Sequence, residues 1–186
     1  SRTVRQYNYH NAAHLLGYLS EASLTDLERD STIMRGDFVG RSGVERTYEE
    51  VLRGVKGEEI FYRDARGRIQ GRLDGGSHDR APVPGRDLTL SIDAGLQELG
   101  ERMMRGKRGA IVAIEPETGE ILALVTAPNY DPELLAGKSK GANHRMLEET
   151  FGKPLLNRAI QGNYPPGSTF KPSQGAIFLE EGVLTP

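Results

Sequence analysis

The two most apolar runs of the chain, 109–114 and 120–125, flank Glu115-Pro116-Glu117-Thr118-Gly119. Short apolar runs around a Pro- and Gly-containing turn predict a β-hairpin, and their near-continuous hydrophobicity predicts burial at the centre of a sheet. Before them, Leu96, Leu99, Met103 and Met104 recur at helical spacing behind Asp93. This predicts a helix capped by Asp93, closed near Gly106, with those residues as its apolar face. Alternation predicts strands over 59–63, 68–73 and 87–92, the first two joined by a turn at 64–67.

Nearer the front, 12–19 reads as a helical turn leading into a strand, and 20–30 as a helix with Leu24 and Leu27 inward. A loop over 32–40 precedes one helix from Ser42, with Val44, Tyr48, Val51 and Leu52 apolar and Gly54 at its end. Ser42 with Glu45 has the form of a capping box. Past the hairpin, 127–132 is Pro-rich and extended, 136–153 is polar and expected to be mobile, and 154–160 leads into a turn at 163–167. A last helix opens at Ser168, with Phe170, Ala176, Ile177 and Leu179 at helical spacing. The pattern is α+β, with a boundary expected near residues 80–93.

Composition narrows the function classes. The 186 residues are 37% hydrophobic and 27% charged, which fits a soluble globular chain of one or two domains. A net charge of -2 gives no electrostatic footprint for nucleic acid. Zero cysteine excludes a disulfide framework and thiolate-bound metal. No apolar run is long enough to span a membrane. The chain starts at Ser1-Arg2-Thr3 without Met and stops at Pro186 just after a helix, so it is expected to be a fragment of a longer protein.

The candidate chemistry lies in Tyr164-Pro165-Pro166-Gly167-Ser168-Thr169-Phe170-Lys171-Pro172. Two prolines hold the chain extended, Gly167 permits a left-handed turn, and Ser168 is delivered to the first turn of a helix. Ser168 and Lys171 are i and i+3, so they share a face. A serine beside a lysine amine is a nucleophile–base arrangement, and a helix N-terminus supplies N–H groups for a developing oxyanion. Ser-x-x-Lys alone is a weak pattern, and a serine before a helix is more often an N-cap. Elsewhere, His10, His14, His78 and His144 lack metal-ligand spacing, and Asp74-Gly75-Gly76 lacks the later acids of a calcium loop. Arg63, Arg66, Arg68 and Arg72 read as a solvated hairpin face, and Asn157-Arg158 as a structural brace. Neither a cofactor nor a metal is expected.

Five stretches in order resemble the class B penicillin-binding proteins, most of all the elongation-type penicillin-binding protein 2. They are 12–18; 40–45 with Tyr48 and 52–54; 88–93 with Leu96-Gln97; 109–125 with 127–132; and 154–160 running into 164–172. The resemblance implies a non-catalytic pedestal of the dimerisation type over 1–92. It implies the N-terminal portion of a penicillin-binding/β-lactamase-like transpeptidase domain over 93–186. It implies a serine D,D-transpeptidase of peptidoglycan synthesis, with Ser168 as nucleophile and Lys171 as candidate base. The implied partners are peptidoglycan stem peptides, β-lactam antibiotics and cell-wall elongation proteins. The implied location is the periplasmic side of the bacterial inner membrane, reached through an N-terminal helix missing from this chain.

The family's later Ser-x-Asn and Lys-Thr/Ser-Gly motifs do not occur after Ser168. The fragment alone is therefore expected to be poorly active, because a solvated lysine is protonated at neutral pH. Asn8, Glu133 and Ser173-Gln174 depart from the family pattern, the last pair on a helix that is normally buried. A pedestal acting as a docking module is the alternative, and a β-lactam sensor or β-lactamase fits less well because those lack the pedestal. With the family's later catalytic elements missing, the apolar edges of the 109–125 hairpin are expected to favour self-association or local rearrangement after residue 108.

Overall fold

The computed structural model describes residues 6–137 and 139–184. Along these run helices α1 (Ala13–Leu16), α2 (Leu24–Arg29), α3 (Gly43–Thr47), α4 (Glu49–Arg53), α5 (Ala94–Met103), α6 (Lys140–Glu149), α7 (Arg158–Gln161) and α8 (Lys171–Glu180). The strands are β1 (Leu19–Glu21), β2 (Phe38–Gly40), β3 (Phe61–Arg63), β4 (Ile69–Arg72), β5 (Gly109–Ile114) and β6 (Ile121–Ala127). They pair antiparallel as β1–β2, β3–β4 and β5–β6. Single 3-10 turns occupy Pro132–Leu135 and Gly167–Phe170. The mixed α+β character agrees with the sequence pattern.

The front half is a string of small, hydrogen-bonded units. The Leu19 end of β1 pairs with Gly40 of β2. At Gly17, with φ 82, an added Cβ would stand 1.9 Å from the Ser42 carbonyl oxygen, so α1 and α3 approach at a distance that only glycine allows. The β3–β4 ribbon is continued by backbone pairs Val55 with Val83 and Glu58 with Arg80. Ion pairs Arg72–Glu59 and Arg80–Glu58 lie across that ribbon and are solvent-exposed, so they add little stability.

Four expectations for this half change. Ser42 makes no capping hydrogen bond with its side chain. Gly43, directly after it, has φ 58, and this left-handed first step departs from the helical turn that side-chain capping requires. The capping box instead forms at Ser23 with Asp26. The helix expected from Ser42 as a single unit divides at Tyr48 into α3 and α4. Within 32–40, β2 is a strand. Residues 87–92 form no strand; Asp93 N–H and Ser91 Oγ donate to the Leu122 and Ile121 carbonyls, and no further ladder follows.

The second half is organised by β6, whose residues 123–127 are all buried. α5 packs against it, and α1 and α7 touch it as well. Asp93 caps α5 as expected, accepting from Leu96 N–H at 2.8 Å. The buried face of α5 is the unexpected one. Leu96, Leu99 and Met103 are exposed, whereas Gln97 and Gly100 are buried. The Gln97 amide behaves like a short strand, accepting from Leu124 N–H at 2.8 Å and donating to Leu124 O at 3.0 Å. Gly100 lets the helix close onto Val125, where a Cβ would fall 2.8 Å from Cγ2. β5 is not continuously buried but alternates, with Val112 and Ile114 open to solvent. The polar segment 136–153 carries α6, which buries Leu147.

The apolar core joins the two ends of the chain. Ala13 from α1 packs with Tyr130, Leu135 and Leu147, flanked by Tyr18, Leu134 and Leu155. Glu101 reinforces the junction: its carboxylate accepts from Ala12 N–H at 2.7 Å, Gln97 Nε2 at 2.9 Å and Asn129 Nδ2 at 2.8 Å. His14 Nε2 donates to Pro154 O at 2.8 Å, and its ring meets Tyr130 edge-on at 5.2 Å. Lys140 donates to Leu19 O and sits 5.1 Å over the Tyr18 ring. Burial, with the nearby Arg41 charge, pushes the Lys140 amine down to about 8.

Candidate active site

The approach to Ser168 begins inside the sheet. Thr126, buried at the end of β6, donates through Oγ1 to Asn157 Oδ1 at 3.1 Å and accepts from Ala159 N–H at 3.3 Å. This pins the N-terminus of α7 to the hairpin. Arg158 is buried, and its guanidinium donates to the carbonyls of Gly152, Lys153 and Leu156. Bonds to three carbonyls of the 152–156 segment make it a brace for that loop, in keeping with the structural part expected of Asn157-Arg158. Each donor is charged, and such bonds are stronger than neutral ones.

From α7 the chain runs through 162–166 without regular structure to Gly167, which takes φ 56. Ser168 lies in the 3-10 turn Gly167–Phe170, and Lys171 starts α8. The turn is tied by Thr169 Oγ1 donating to Pro166 O at 2.5 Å and by Lys171 N–H donating to Ser168 O. The helix expected to open at Ser168 thus begins as one 3-10 turn, and Ser168 does not act as a side-chain cap. Ser168 and Lys171 are exposed and three residues apart on continuous helical turns. Among the described residues no hydrogen bond joins their side chains, and the Lys171 ammonium has no acidic partner. None of the residues of α8 is buried, Ser173 and Gln174 included.

The geometry offers a hydroxyl, an amine and helix N-terminal N–H groups on one accessible surface, which is what serine acyl transfer needs of its first component. Glu101 and Lys140 carry no mark in the motif pattern. The one signal was Thr126, a polar residue at the end of an apolar run. Among the described residues no group of three or more His, Asp or Glu converges as a metal site, and no helix is long and apolar enough to cross a membrane.

Residues 1–90 match the penicillin-binding protein dimerisation domain, and residues 109–186 match the penicillin-binding protein transpeptidase domain. The peptidoglycan D,D-transpeptidase MrdA of Acinetobacter baumannii is 41% identical over 174 residues, 92% of this chain and 25% of that protein. Its counterpart in Escherichia coli K12 is 37% identical over 188 residues, 97% of this chain and 29% of that protein. Among solved structures, Pseudomonas aeruginosa PBP2 in complex with WCK 5153 superposes with a TM-score of 0.79 at 37% identity, covering 98% of this chain and 36% of the other. The Helicobacter pylori complex between PBP2 and MreC gives 0.82 at 34% identity, covering 95% of this chain and 33% of the other. The chain spans about a third or less of the length of these relatives.

Proposed function

The chain belongs to the penicillin-binding proteins, and from that premise we propose that it is part of a serine-type peptidoglycan D,D-transpeptidase. Residues 1–92 form its pedestal, and 93–186 form the start of the catalytic domain. The observation that carries the reading is the exposed turn holding Ser168 and Lys171 at the head of α8, inside the matched transpeptidase stretch.

In this reading Ser168 Oγ gives up its proton, with Lys171 as the accepting amine. The oxygen adds to the carbonyl of the D-alanyl-D-alanine amide of a stem peptide. The C–N bond breaks, D-alanine leaves with a proton, and an acyl ester to Ser168 remains. An amine from a second stem then attacks the ester, forming the cross-link and returning the proton to Ser168. The Ser168 backbone N–H contributes one donor to the oxyanion. β-Lactams acylate the same oxygen. The protein works at the periplasmic face of the inner membrane alongside cell-wall elongation proteins, a placement supported by the Helicobacter pylori relative's complex with MreC. The exposed β3–β4 ribbon, with Tyr62 and Ile69 half or more open, favours a docking role for the pedestal.

Fluorescent penicillin tests the assignment. In the whole gene product, Ser168→Ala is expected to abolish covalent labelling, and Lys171→Ala to slow it by about 100-fold or more. The 186-residue polypeptide alone is expected to label weakly, since neither Ser-x-Asn nor Lys-Thr/Ser-Gly occurs in it after Ser168. Undiminished labelling of Ser168→Ala would falsify the nucleophile assignment.

A further inference from the structure

A cavity of about 590 Å³ opens where the front of the chain meets α6 and α7. Its walls come from α1 and α3 on one side and from α6, α7 and Leu155 on the other. The chemistry of this lining is one-sided. Arg41, Arg46, His14 and His144 face it together with Asn157 and Gln161, and no Asp or Glu is among the described residues that line it. Arg41 is already committed to Asp26, through donors 3.1 and 2.6 Å from the carboxylate. His144 Nδ1 is 3.5 Å from Glu148, outside the lining. Arg46 has no ion-pair or hydrogen-bond partner for its side chain among the described residues.

The uncharged groups point the same way. Asn157 Oδ1 accepts from Thr126, and its Nδ2 donors have no partner among the described residues. The Ser42 hydroxyl, which does not cap α3, and the Gln161 side-chain amide are likewise without partners among the described residues. Behind Tyr18, a wall residue, stands the Lys140 ammonium at 5.1 Å from the ring. A concave space with surplus donors, an unpaired guanidinium and no carboxylate is a site that favours negative charge.

We propose that this cavity binds a small oxyanion, phosphate or carboxylate, carried on a polar body such as a sugar. The Arg46 guanidinium takes the anion, and Asn157, Gln161 and Ser42 take oxygens of the body. The walls belong to both regions of the chain, and Gln161 is seven residues before Ser168. An occupant therefore ties the pedestal to the segment that leads into the Ser168 turn. The proposal does not depend on the role assigned to Ser168, because binding is read without acylation.

Calorimetric and NMR titrations of the 186-residue chain with inorganic phosphate, glucose 6-phosphate, glucuronate and glucose test it. Saturable binding of at least one anionic probe is expected, with shifts at the Gly43, Arg46 and Gln161 amides and no binding of neutral glucose. Preference for glucose 6-phosphate or for glucuronate assigns the anion to phosphate or to carboxylate. Arg46→Ala is expected to weaken binding by about ten-fold or more, while Arg66→Ala on the distant ribbon leaves it unchanged. The Gly43 and Gln161 amide positions in the unliganded variant report whether its fold is intact. The idea is overturned if no anion saturates, if glucose binds equally well, or if both arginine variants weaken binding alike.

Discussion

At the scale of single residues, His14 carries a role that its place in the sequence does not announce. It is held between Tyr130 and the Pro154 carbonyl. Burial pushes its imidazole below the usual range; the bond to Pro154 opposes this, and the Arg158 charge adds to the lowering. Below about pH 6.5 the unfolded chain binds a proton at His14 that the folded chain resists. Stability is therefore full above that pH and falls as pH drops toward the folded-state value. His14→Gln, which keeps a donor for Pro154, is expected to flatten this slope in urea titrations run between pH 7.5 and 5. An unchanged slope in the variant would remove His14 from the account. Ser168 and Lys171 stand out in the sequence as candidates because their motif is contiguous. Thr126 and Asn157 lie 31 positions apart and Glu101 and Ala12 lie 89 apart, so no local pattern could show that they meet.

At the scale of elements, hydrophobic spacing located α5 but misjudged which way it faces. A stripe of Leu96, Leu99 and Met103 predicts burial, yet contact with β6 is made by Gln97 and Gly100. Two local facts outweigh the stripe: an amide that satisfies Leu124, and a glycine that permits close approach. Gly100→Ala is expected to destabilise the chain by about 1–2 kcal/mol, since overpacking against Val125 exceeds alanine's helix preference. Val125→Ala should relieve part of that cost, so the double variant loses less than the sum by about 0.5 kcal/mol or more. Strict additivity in chemical denaturation would show that the two do not press on each other. Capping was misjudged for a related reason. Ser42 and Glu45 fit the motif, but the left-handed Gly43 breaks its geometry, while Ser23 with Asp26 forms the box using an aspartate. The polar character of 136–153 concealed α6 because that helix buries essentially one residue, Leu147.

At the scale of the whole molecule, the sequence identified the class and the order of its parts, and the surface adds what they leave uncovered. One set of exposed apolar side chains is spread over three elements of the second half: Leu96, Leu99 and Met103 on α5, Val112 and Ile114 on β5, and Ile177 and Leu179 on α8. Another is the ribbon with Phe61, Tyr62 and Ile69. Exposed apolar surface of this kind favours association. The 186-residue chain is expected to sediment as more than a monomer, and Ile177→Glu with Leu179→Glu to shift it toward the monomer. Tyr62→Glu should leave self-association in place and instead reduce capture of a cell-wall elongation partner by the pedestal. A monodisperse monomer across concentrations would count against the first part, and undiminished capture against the second.

The bond from His14 to Pro154 also sets a timetable. Its partners are 140 positions apart, and at about 5–20 residues per second a ribosome needs roughly 7–30 s to make the second after the first. Ala13 and His14 are among the first residues of this stretch to be made, and their shelter is among the last. α1 can meet α3 as soon as α3 is made, but until Leu147 and Pro154 have been synthesised Ala13 and His14 lack the rest of their shelter, so the earliest-made helix of this stretch is among the last to complete its packing.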